Sequence, residues 1–125
     1  MENKGICLDT DALIDAFKDG IKKYSGYYTT CISVYEFLRG ISYVGKDVGK
    51  FKAAIEIYLN VLCLDNNSII TASNIYSDLR KNGELIEDPD LLIGSICIAN
   101  NLCLRTNNLK HFKRLERFGL RIVKE

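Results

Sequence analysis

A chain of 125 residues with a formal net charge of +1 has the length of one domain and a charge balance that favours no particular partner. Its apolar and charged fractions, 47% and 26%, are ordinary for a globular protein, and no apolar run approaches the roughly 18 residues of a membrane span. The composition therefore predicts one domain over residues 1–125 and excludes a membrane-spanning chain.

The redox environment can be inferred from the N-terminus and the cysteines. Residues 1–4 lead directly into an apolar run and leave no room for a signal peptide, so we expect a cytoplasmic protein without membrane contact. Five cysteines lie within or beside apolar stretches, and no two form a Cys-x-x-Cys pair: Cys7, Cys31, Cys63, Cys97 and Cys103. We expect these to be buried thiols rather than a disulfide framework or a zinc site.

Charge is unevenly distributed along the chain. From Arg105 onwards, seven Lys and Arg residues stand against two Glu residues, a net +5, whereas the preceding residues carry ten basic and fourteen acidic groups, a net −4. An acidic body beside a basic end can hold a cation and bind a polyanion next to it. A solvated terminal helix accounts for the same count.

The first element is a short strand followed by an acidic turn and a helix. Ile6-Cys7-Leu8 is typical of a strand buried on both faces, and Asp9-Thr10-Asp11 suits a turn and a helix N-cap. Apolar residues at helical spacing then predict a helix that ends at Asp19-Gly20. Asp9 is thereby placed at the carboxyl end of the strand, the edge at which open α/β sheets bind ligands.

Strands and helices continue to alternate. Residues 27–32 are rich in β-forming residues and predict a second strand, after which Ser33 and Glu36 match a capping box that begins a helix. The later elements are a helix over 51–59, a strand at 61–64, a helix around 72–79, a helix over 88–99, a strand at 102–105, a basic helix over 109–117 and a strand at 120–123.

The helix over residues 88–99 has a clear start and is apolar almost all round. Asp88 suits the N-cap, Pro89 the first helical position and Asp90 the first turn. Because few polar residues follow, we expect the body of this helix to be largely buried.

This alternation predicts an α/β fold, in which three layers (α/β/α) surround a central five-stranded parallel sheet. In that topology four polar residues share one edge. Asp9 ends the first strand, Glu36 lies in the first turn after the second strand, and Asn108 follows the fourth strand. Asp90 begins a helix that runs antiparallel to the strands, so its N-terminus lies at the carboxyl edge as well. We expect these four residues to converge.

A cluster of carboxylates needs compensation, because each close pair repels by roughly 4 kcal/mol at an effective dielectric constant near 20. Oxygen ligands without His or Cys favour Mg²⁺ or Mn²⁺ over zinc. Such an ion activates water and neutralises charge on a phosphodiester in the transition state. The cluster therefore indicates metal-assisted hydrolysis of a phosphodiester.

Four segments, in order along the whole chain, resemble the motifs of PIN-domain ribonucleases, above all the VapC-type toxins. They are Leu8-Asp9-Thr10-Asp11-Ala12-Leu13-Ile14-Asp15, Ser33-Val34-Tyr35-Glu36-Phe37-Leu38-Arg39-Gly40, Asp90-Leu91-Leu92-Ile93-Gly94 and Thr106-Asn107-Asn108-Leu109-Lys110-His111-Phe112. The resemblance implies a PIN-like fold, Mg²⁺- or Mn²⁺-dependent endonuclease cleavage of RNA, a homodimer and a cognate antitoxin protein.

The resemblance also assigns roles to single residues. Asp9, Glu36 and Asp90 match the acids that hold the metal and perform catalysis, and Asn108 falls where family members carry Asp or Asn. Thr10 and Thr106 are expected as supporting polar groups. Because Asn108 is neutral, the site can hold one ion firmly and a second with substrate. Two further carboxylates, Asp11 and Asp88, leave the assignment within Asp88-Pro89-Asp90 open by two positions.

Residues for RNA contact are expected at the helix after Glu36 and at the basic end. Arg39 is a candidate for a phosphate contact, although a solvated helix face accounts for it equally well. Lys110, Lys113 and Arg114 are candidates from the basic helix. His111 is too isolated in the sequence to be assigned a catalytic role.

Three other functions compete with the nuclease. Asp9-Thr10-Asp11 also resembles the nucleophile motif of haloacid-dehalogenase-type phosphatases, and Asp65 ends the third strand where a receiver domain carries its phospho-acceptor. The further residues that a phosphatase or a receiver domain needs are poorly represented in the sequence. The non-enzymatic alternative is a PIN-fold module that binds RNA or protein with little catalytic activity.

Overall fold

Five parallel strands form one sheet in the order β3-β2-β1-β4-β5. The computed structural model describes residues 5–123; residues 1–4, where we expect no signal peptide, and residues 124–125 lie outside it. The strands are β1 (Ile6–Leu8), β2 (Tyr28–Thr30), β3 (Asn60–Leu62), β4 (Cys103–Arg105) and β5 (Arg121–Ile122). The predicted five-stranded parallel sheet is confirmed, with strands shorter than the apolar runs suggested.

Helices connect each strand to the next. They are α1 (Thr10–Asp19), α2 (Cys31–Tyr43), α3 (Val48–Tyr58), α4 (Asn66–Lys81), α5 (Asp88–Ala99) and α6 (Leu109–Phe112), with 3₁₀ helices at Ile21–Tyr24 and Lys113–Phe118. In residues 5–123, no helix combines the length and the apolar character that a bilayer crossing requires.

The sheet separates two apolar cores, because successive side chains of a strand point to opposite faces. In β1, Cys7 belongs to the core under α4, α5 and α6, whereas Leu8 belongs to the core under α1, α2 and α3; both side chains are 0% exposed. A strand buried on both faces was expected from this apolar run. The predicted three-layer α/β/α architecture follows from these two cores.

The order of the strands excludes the receiver-domain alternative. Receiver domains of the doubly wound type have the strand order 2-1-3-4-5, with the third strand inside the sheet. Here β3 is an edge strand that pairs with β2 alone. Asp65, the proposed phospho-acceptor, instead caps α4 at that edge, where its side chain accepts from the Ser68 amide.

Two helix starts differ from the sequence expectation. The N-cap of α2 is Thr30, whose hydroxyl accepts from the Ser33 amide, so the capping box predicted for Ser33 and Glu36 is wrong. The N-cap of α5 is Glu87 rather than Asp88, which is the first helical residue. In both cases the helix begins earlier than expected, because the preceding strand or loop ends sooner than its side-chain pattern indicates.

The predicted basic helix over 109–117 is an α-helix only as far as Phe112 and continues as a 3₁₀ helix. Phe112, Leu115 and Phe118 all belong to the same core, in which the first two are 0% exposed and the third is partly buried. A 3₁₀ helix has three residues per turn and aligns side chains spaced by three on one face. The spacing of these apolar residues therefore explains the tighter helix.

The expectation of five free thiols is wrong for two cysteines. Cys31 and Cys63 are paired as a disulfide, while Cys7, Cys97 and Cys103 are free. The two paired residues lie 32 positions apart in the sequence, and only the pairing of β2 with β3 brings them together. Cys63 is moreover exposed, although it follows an apolar run.

Helix α5 is buried as predicted, and one glycine allows its close approach to the C-terminal segment. A Cβ at Gly94 would lie 2.4 Å from Cδ1 of Leu115, which is itself 0% exposed. Van der Waals contact between carbons requires at least about 3.5 Å. Gly94 therefore permits the contact between α5 and the 3₁₀ helix that follows α6.

We predict that Gly94→Ala lowers the free energy of unfolding by about 1–3 kcal/mol, because the fully buried Leu115 side chain must shift within a packed core. The measurement is the denaturant midpoint in urea. Gly40→Ala in α2 is the matched control, since nothing lies within 4 Å of its Cβ; its higher helix propensity should leave stability unchanged or raise it by up to about 1 kcal/mol. Equal midpoints for Gly94→Ala and the parent would contradict this account of the packing.

Candidate functional site

An open polar cleft of about 230 Å³ lies at the carboxyl edge of the sheet. It is lined by Asp9, Thr10, Asp11, Glu36, Arg39, Asp90 and Asn108. The three carboxylates and the amide that the topology placed at this edge thus face one cavity. Asp11 also lines this cleft. Asp88 lines a different groove against α4, so of Asp88 and Asp90 only Asp90 faces the cleft.

Asp9 is the most firmly held member of the cleft. It is 4% exposed and serves as the N-cap of α1, where its Oδ1 accepts a 2.9 Å hydrogen bond from the Ala12 amide. Its Oδ2 accepts from the hydroxyl of Thr106, in the loop after β4. Two elements therefore fix one carboxylate.

Burial raises the pKa of Asp9 from 3.8 to about 6. The hydrogen bonds from Thr106 and Ala12 act in the opposite direction, while the charges of Asp11 and Asp90 raise the pKa further. At neutral pH the folded protein therefore holds Asp9 in its charged form at a position that favours the protonated, neutral form. A positive charge in the cleft would reverse that preference.

Glu36 lies in the second turn of α2 and joins this helix to α1. The hydroxyl of Thr10 donates a 2.6 Å hydrogen bond to Glu36 Oε1, and Glu36 Oε2 lies 3.8 Å from Nη2 of Arg39. Thr10, expected only as a supporting group, therefore positions Glu36 directly. Because the N-cap of α2 is Thr30, capping does not explain Glu36.

Asp90 lies in the first turn of α5 and contacts His111 on α6, with 3.3 Å between Asp90 Oδ2 and His111 Nδ1. Burial raises the pKa of Asp90 above its usual range and the charge of Glu36 adds to this rise, while the contact with His111 lowers it. His111 is a neighbour of the site that sequence reasoning missed. The available signal was its position three residues after Asn108, on the same face of a helical turn.

Asn108 contacts the site through both its backbone amide and its side chain. Its backbone amide donates a 2.8 Å hydrogen bond to Thr106 Oγ1, and its Nδ2 lies 2.9 Å from His111 Nδ1. The same ring nitrogen cannot accept from Asn108 and donate to Asp90 at once. The orientation of the Asn108 amide is therefore linked to the tautomer of His111.

Of the basic residues proposed for RNA contact, one lines the cleft and the others lie outside its lining. Arg39 lines it with a side chain that is 60% exposed. Lys110 and Lys113 are exposed on and just after α6, outside the lining of the cleft. Arg114 donates to the backbone carbonyl of Leu85, so it also ties the C-terminal segment to the loop before α5.

The donor set fits a hard divalent cation, since it consists of carboxylate and amide oxygens. Each carboxylate is nevertheless held by its own partner: Asp9 by Thr106, Glu36 by Thr10 and Asp90 by His111. Accordingly, within residues 5–123 no three His, Cys, Asp or Glu side chains are already grouped as a metal site. The cleft offers suitable oxygens that are oriented by hydrogen bonds rather than toward one common point.

Comparison with known proteins agrees with the fold and the motifs. No protein-family model matches the chain. The chain is 40% identical over 124 residues to Ribonuclease VapC1 of Methanocaldococcus jannaschii, a match that covers 97% of this chain and 88% of that protein.

Two solved structures have the same fold. The DNA-bound VapBC complex of Salmonella typhimurium contains a chain with a TM-score of 0.76 and 25% identity, over 94% of this chain and 96% of that one. VapBC-1 of nontypeable Haemophilus influenzae matches with a TM-score of 0.76 and 22% identity, over 95% and 96%. The strand order 3-2-1-4-5, the acidic cleft at the carboxyl edge and the match to these structures together identify a PIN-type domain. The chain belongs to the VapC family of PIN-domain ribonucleases.

We predict that Asp9→Asn stabilises the metal-free protein at neutral pH. Because the pKa of Asp9 is about 6 when folded and near 3.8 when unfolded, the folded state binds this proton more tightly. The contribution of Asp9 to stability is therefore present below about pH 4 and is lost as pH rises to about 6, a change on the order of 3 kcal/mol. Asparagine still caps the helix.

The measurement is urea unfolding of parent and Asp9→Asn with chelator present, at about pH 4 and about pH 7. The difference between the two proteins isolates Asp9, because residues such as Asp19 and Asp65, whose pKa values are lowered by hydrogen bonds, are common to both. The variant should gain stability relative to the parent only at the higher pH. An equal difference at both pH values would refute the burial argument.

Proposed function

We propose that this chain is a Mg²⁺- or Mn²⁺-dependent endoribonuclease and the toxin of a toxin–antitoxin pair. The observation that carries the proposal is the cleft in which Asp9, Glu36, Asp90 and Asn108 meet, in a chain 40% identical to a protein named Ribonuclease VapC1. Both the chemistry of these oxygens and the family favour phosphodiester hydrolysis.

In this proposal the carboxylates of Asp9, Glu36 and Asp90 hold the ion, and the side-chain oxygen of Asn108 supplements them. When bound, Mg²⁺ or Mn²⁺ makes water a stronger nucleophile and neutralises charge on the phosphodiester. The raised pKa values of Asp9 and Asp90 support the assignment, since carboxylates crowded in a partly dry cleft favour a cation.

The protein's own residues supply orientation. Asp9 is fixed by the start of α1 and by Thr106, so it is the reference point of the site. Glu36 is oriented by Thr10, and Asp90 by His111. Because Thr10 and His111 contact carboxylate oxygens that would hold the ion, these two residues would tune how tightly it is held.

We propose that Arg39 contacts a phosphate of the RNA at the mouth of the cleft. Its guanidinium is exposed, lies 3.8 Å from Glu36 and stands over the ring of Tyr35 at 5.4 Å. A guanidinium can bind two phosphate oxygens at once, which suits the recognition of a backbone rather than a base.

The proposed partners are RNA, a cognate antitoxin protein and a second copy of the chain. An antitoxin is favoured by the relatives of known structure, which are VapBC complexes. Exposed apolar side chains offer area for protein partners on α2, at its C-cap and on α4. They include Tyr35, Tyr43, Val44, Ile69, Ile70 and Tyr76.

A binding module without catalysis is the second candidate. The observation that favours it is the separate anchoring of the three carboxylates, which are not grouped as a metal site within residues 5–123. A binding module would bind RNA equally well with or without divalent ions and would not cleave it. Cleavage assays on the purified chain therefore distinguish the two candidates.

We predict that RNA cleavage stops in chelator, returns with Mg²⁺ or Mn²⁺, and is lost in Glu36→Gln. Glutamine keeps an oxygen that accepts from Thr10 but loses the charge that a hard cation prefers. The melting temperature of Glu36→Gln without metal should be equal to that of the parent or higher. Gel analysis of cleavage and thermal denaturation are measured on the same samples.

The matched control is Glu56→Gln, which removes a carboxylate of similar type from the exposed face of α3. It should cleave RNA like the parent. Parent-like cleavage by Glu36→Gln would contradict the assignment of Glu36, and cleavage that persists in chelator, with Asp9→Asn equally active, would contradict the metal-dependent mechanism.

We predict that Lys110→Ala/Lys113→Ala weakens RNA binding and reduces the slope of log K against log salt by about 0.7 for each lost phosphate contact. Arg114 is left intact because it contacts Leu85. The control is Lys18→Ala/Lys22→Ala, near the end of α1 at the opposite edge of the sheet. Filter binding in an Asp9→Asn background, chosen to prevent cleavage, gives both slopes; identical slopes for the two pairs would refute a role for Lys110 and Lys113 in binding.

A further inference from the structure

The Cys31–Cys63 pair lies where the edge strand β3 meets the start of α2. Strands β2 and β3 are in register up to Thr30 and Leu62, so the two cysteines are the next residues along this pairing. Their Cα atoms are 5.2 Å apart. This distance lies within the range that a disulfide spans without a shift of the backbone.

The bridge is placed at one of the two edge strands of the sheet. β3 pairs only with β2, Asn60 is exposed, and Val61 and Leu62 are only partly buried. A strand with one neighbour and little buried apolar area opens more readily than the central strands. A covalent link at its carboxyl end therefore holds a strand that has one neighbour and little buried apolar area.

We propose that the Cys31–Cys63 disulfide is a reducible clamp on β3, and that dithiol reductants open it by attack at Cys63. Cys63 is the exposed member of the pair, whereas Cys31 is half-buried as the first residue of α2. Accessibility thus selects Cys63 as the sulfur that a reductant reaches. This clamp is independent of the nuclease activity proposed above.

The reaction is a thiol–disulfide exchange with a dithiol. One thiolate of the reductant attacks Sγ of Cys63, the sulfur–sulfur bond breaks, and the electron pair leaves on Sγ of Cys31, which takes up a proton. The N-terminal end of α2 stabilises this leaving thiolate. The second thiol of the reductant then displaces Cys63, so the protein gains two electrons and two protons and the reductant becomes a disulfide.

The other cysteines provide internal references. Cys7 and Cys97 are buried on one face of the sheet, and Cys103 is half-buried in β4. A hydrogen bond with the Cys97 thiol, together with burial, raises the pKa of Cys7 well above its ordinary value, which makes this thiol unreactive while the protein is folded. Exchange in the native state should therefore be confined to Cys31 and Cys63.

The first test counts thiols by mass after alkylation in denaturant. Protein equilibrated with glutathione disulfide should carry three alkyl groups and have Cys31 and Cys63 in one cross-linked peptide. After treatment of the folded protein with dithiothreitol it should carry five. Five alkyl groups before reduction, or a cross-link between other cysteines, would overturn the proposal.

The second test asks whether the bridge acts on β3. Reduction should speed hydrogen exchange of the amides in β3 and leave those of β5, the unbridged edge at the other side of the sheet, unchanged. The melting temperature should fall by about 5–15 °C, as expected when a link across 32 residues is opened in a chain of this size. Equal exchange in β3 before and after reduction would overturn the clamp.

Variants separate the clamp from general effects of the reductant. Cys63→Ser should melt at the temperature of the reduced parent and be insensitive to dithiothreitol, whereas Cys103→Ser should keep the full response. The reduced parent provides the same comparison without any substitution. A parent-like response to dithiothreitol in Cys63→Ser would show that another group is responsible.

Discussion

The buried carboxylate of Asp9 is the constraint on which the rest of the site depends. It ends the central strand, caps α1 and accepts from Thr106 beyond β4, so three elements meet on one side chain. Burial raises the pKa of Asp9 to about 6, which shows that the fold holds this group in a place unfavourable to its charge. Such an arrangement lowers stability unless a cation or a proton offsets it.

The remaining acidic residues of the cleft are held less firmly than Asp9. Glu36 and Asp90 each reach the cleft from a different helix and are oriented by neighbours, Thr10 and His111, that are themselves only partly buried or exposed. Each carboxylate is anchored by its own partner, yet the charge of Asp90 still raises the pKa of Asp9, and the charge of Glu36 still raises that of Asp90. Because of this anchoring, a ligand that binds several of the carboxylate oxygens must replace these hydrogen bonds.

The two apolar cores explain why the cleft lies where it does. Alternating side chains of β1 enter opposite cores, which fixes the strand in the centre of the sheet and its carboxyl end at the middle of the edge. Gly94 allows α5, which carries Asp90 in its first turn, to pack closely against Leu115. The edge strand β3 packs against both cores through Val61 and Leu62, and Cys63, which follows it directly, is paired with Cys31.

The sequence by itself determined the alternation of strands and helices, the burial of α5 and the edge at which the acidic residues meet. These features follow from local patterns: apolar runs, helical spacing, and the direction that parallel strands impose on every connecting helix. Only the tertiary structure decided that Asp90 rather than Asp88 faces the cleft, that Thr30 caps α2, that His111 joins Asp90 and that Cys31 pairs with Cys63. The last two are contacts between residues 21 and 32 positions apart, respectively. They depend on the register of strands and the depth of helix packing, which local side-chain patterns do not encode.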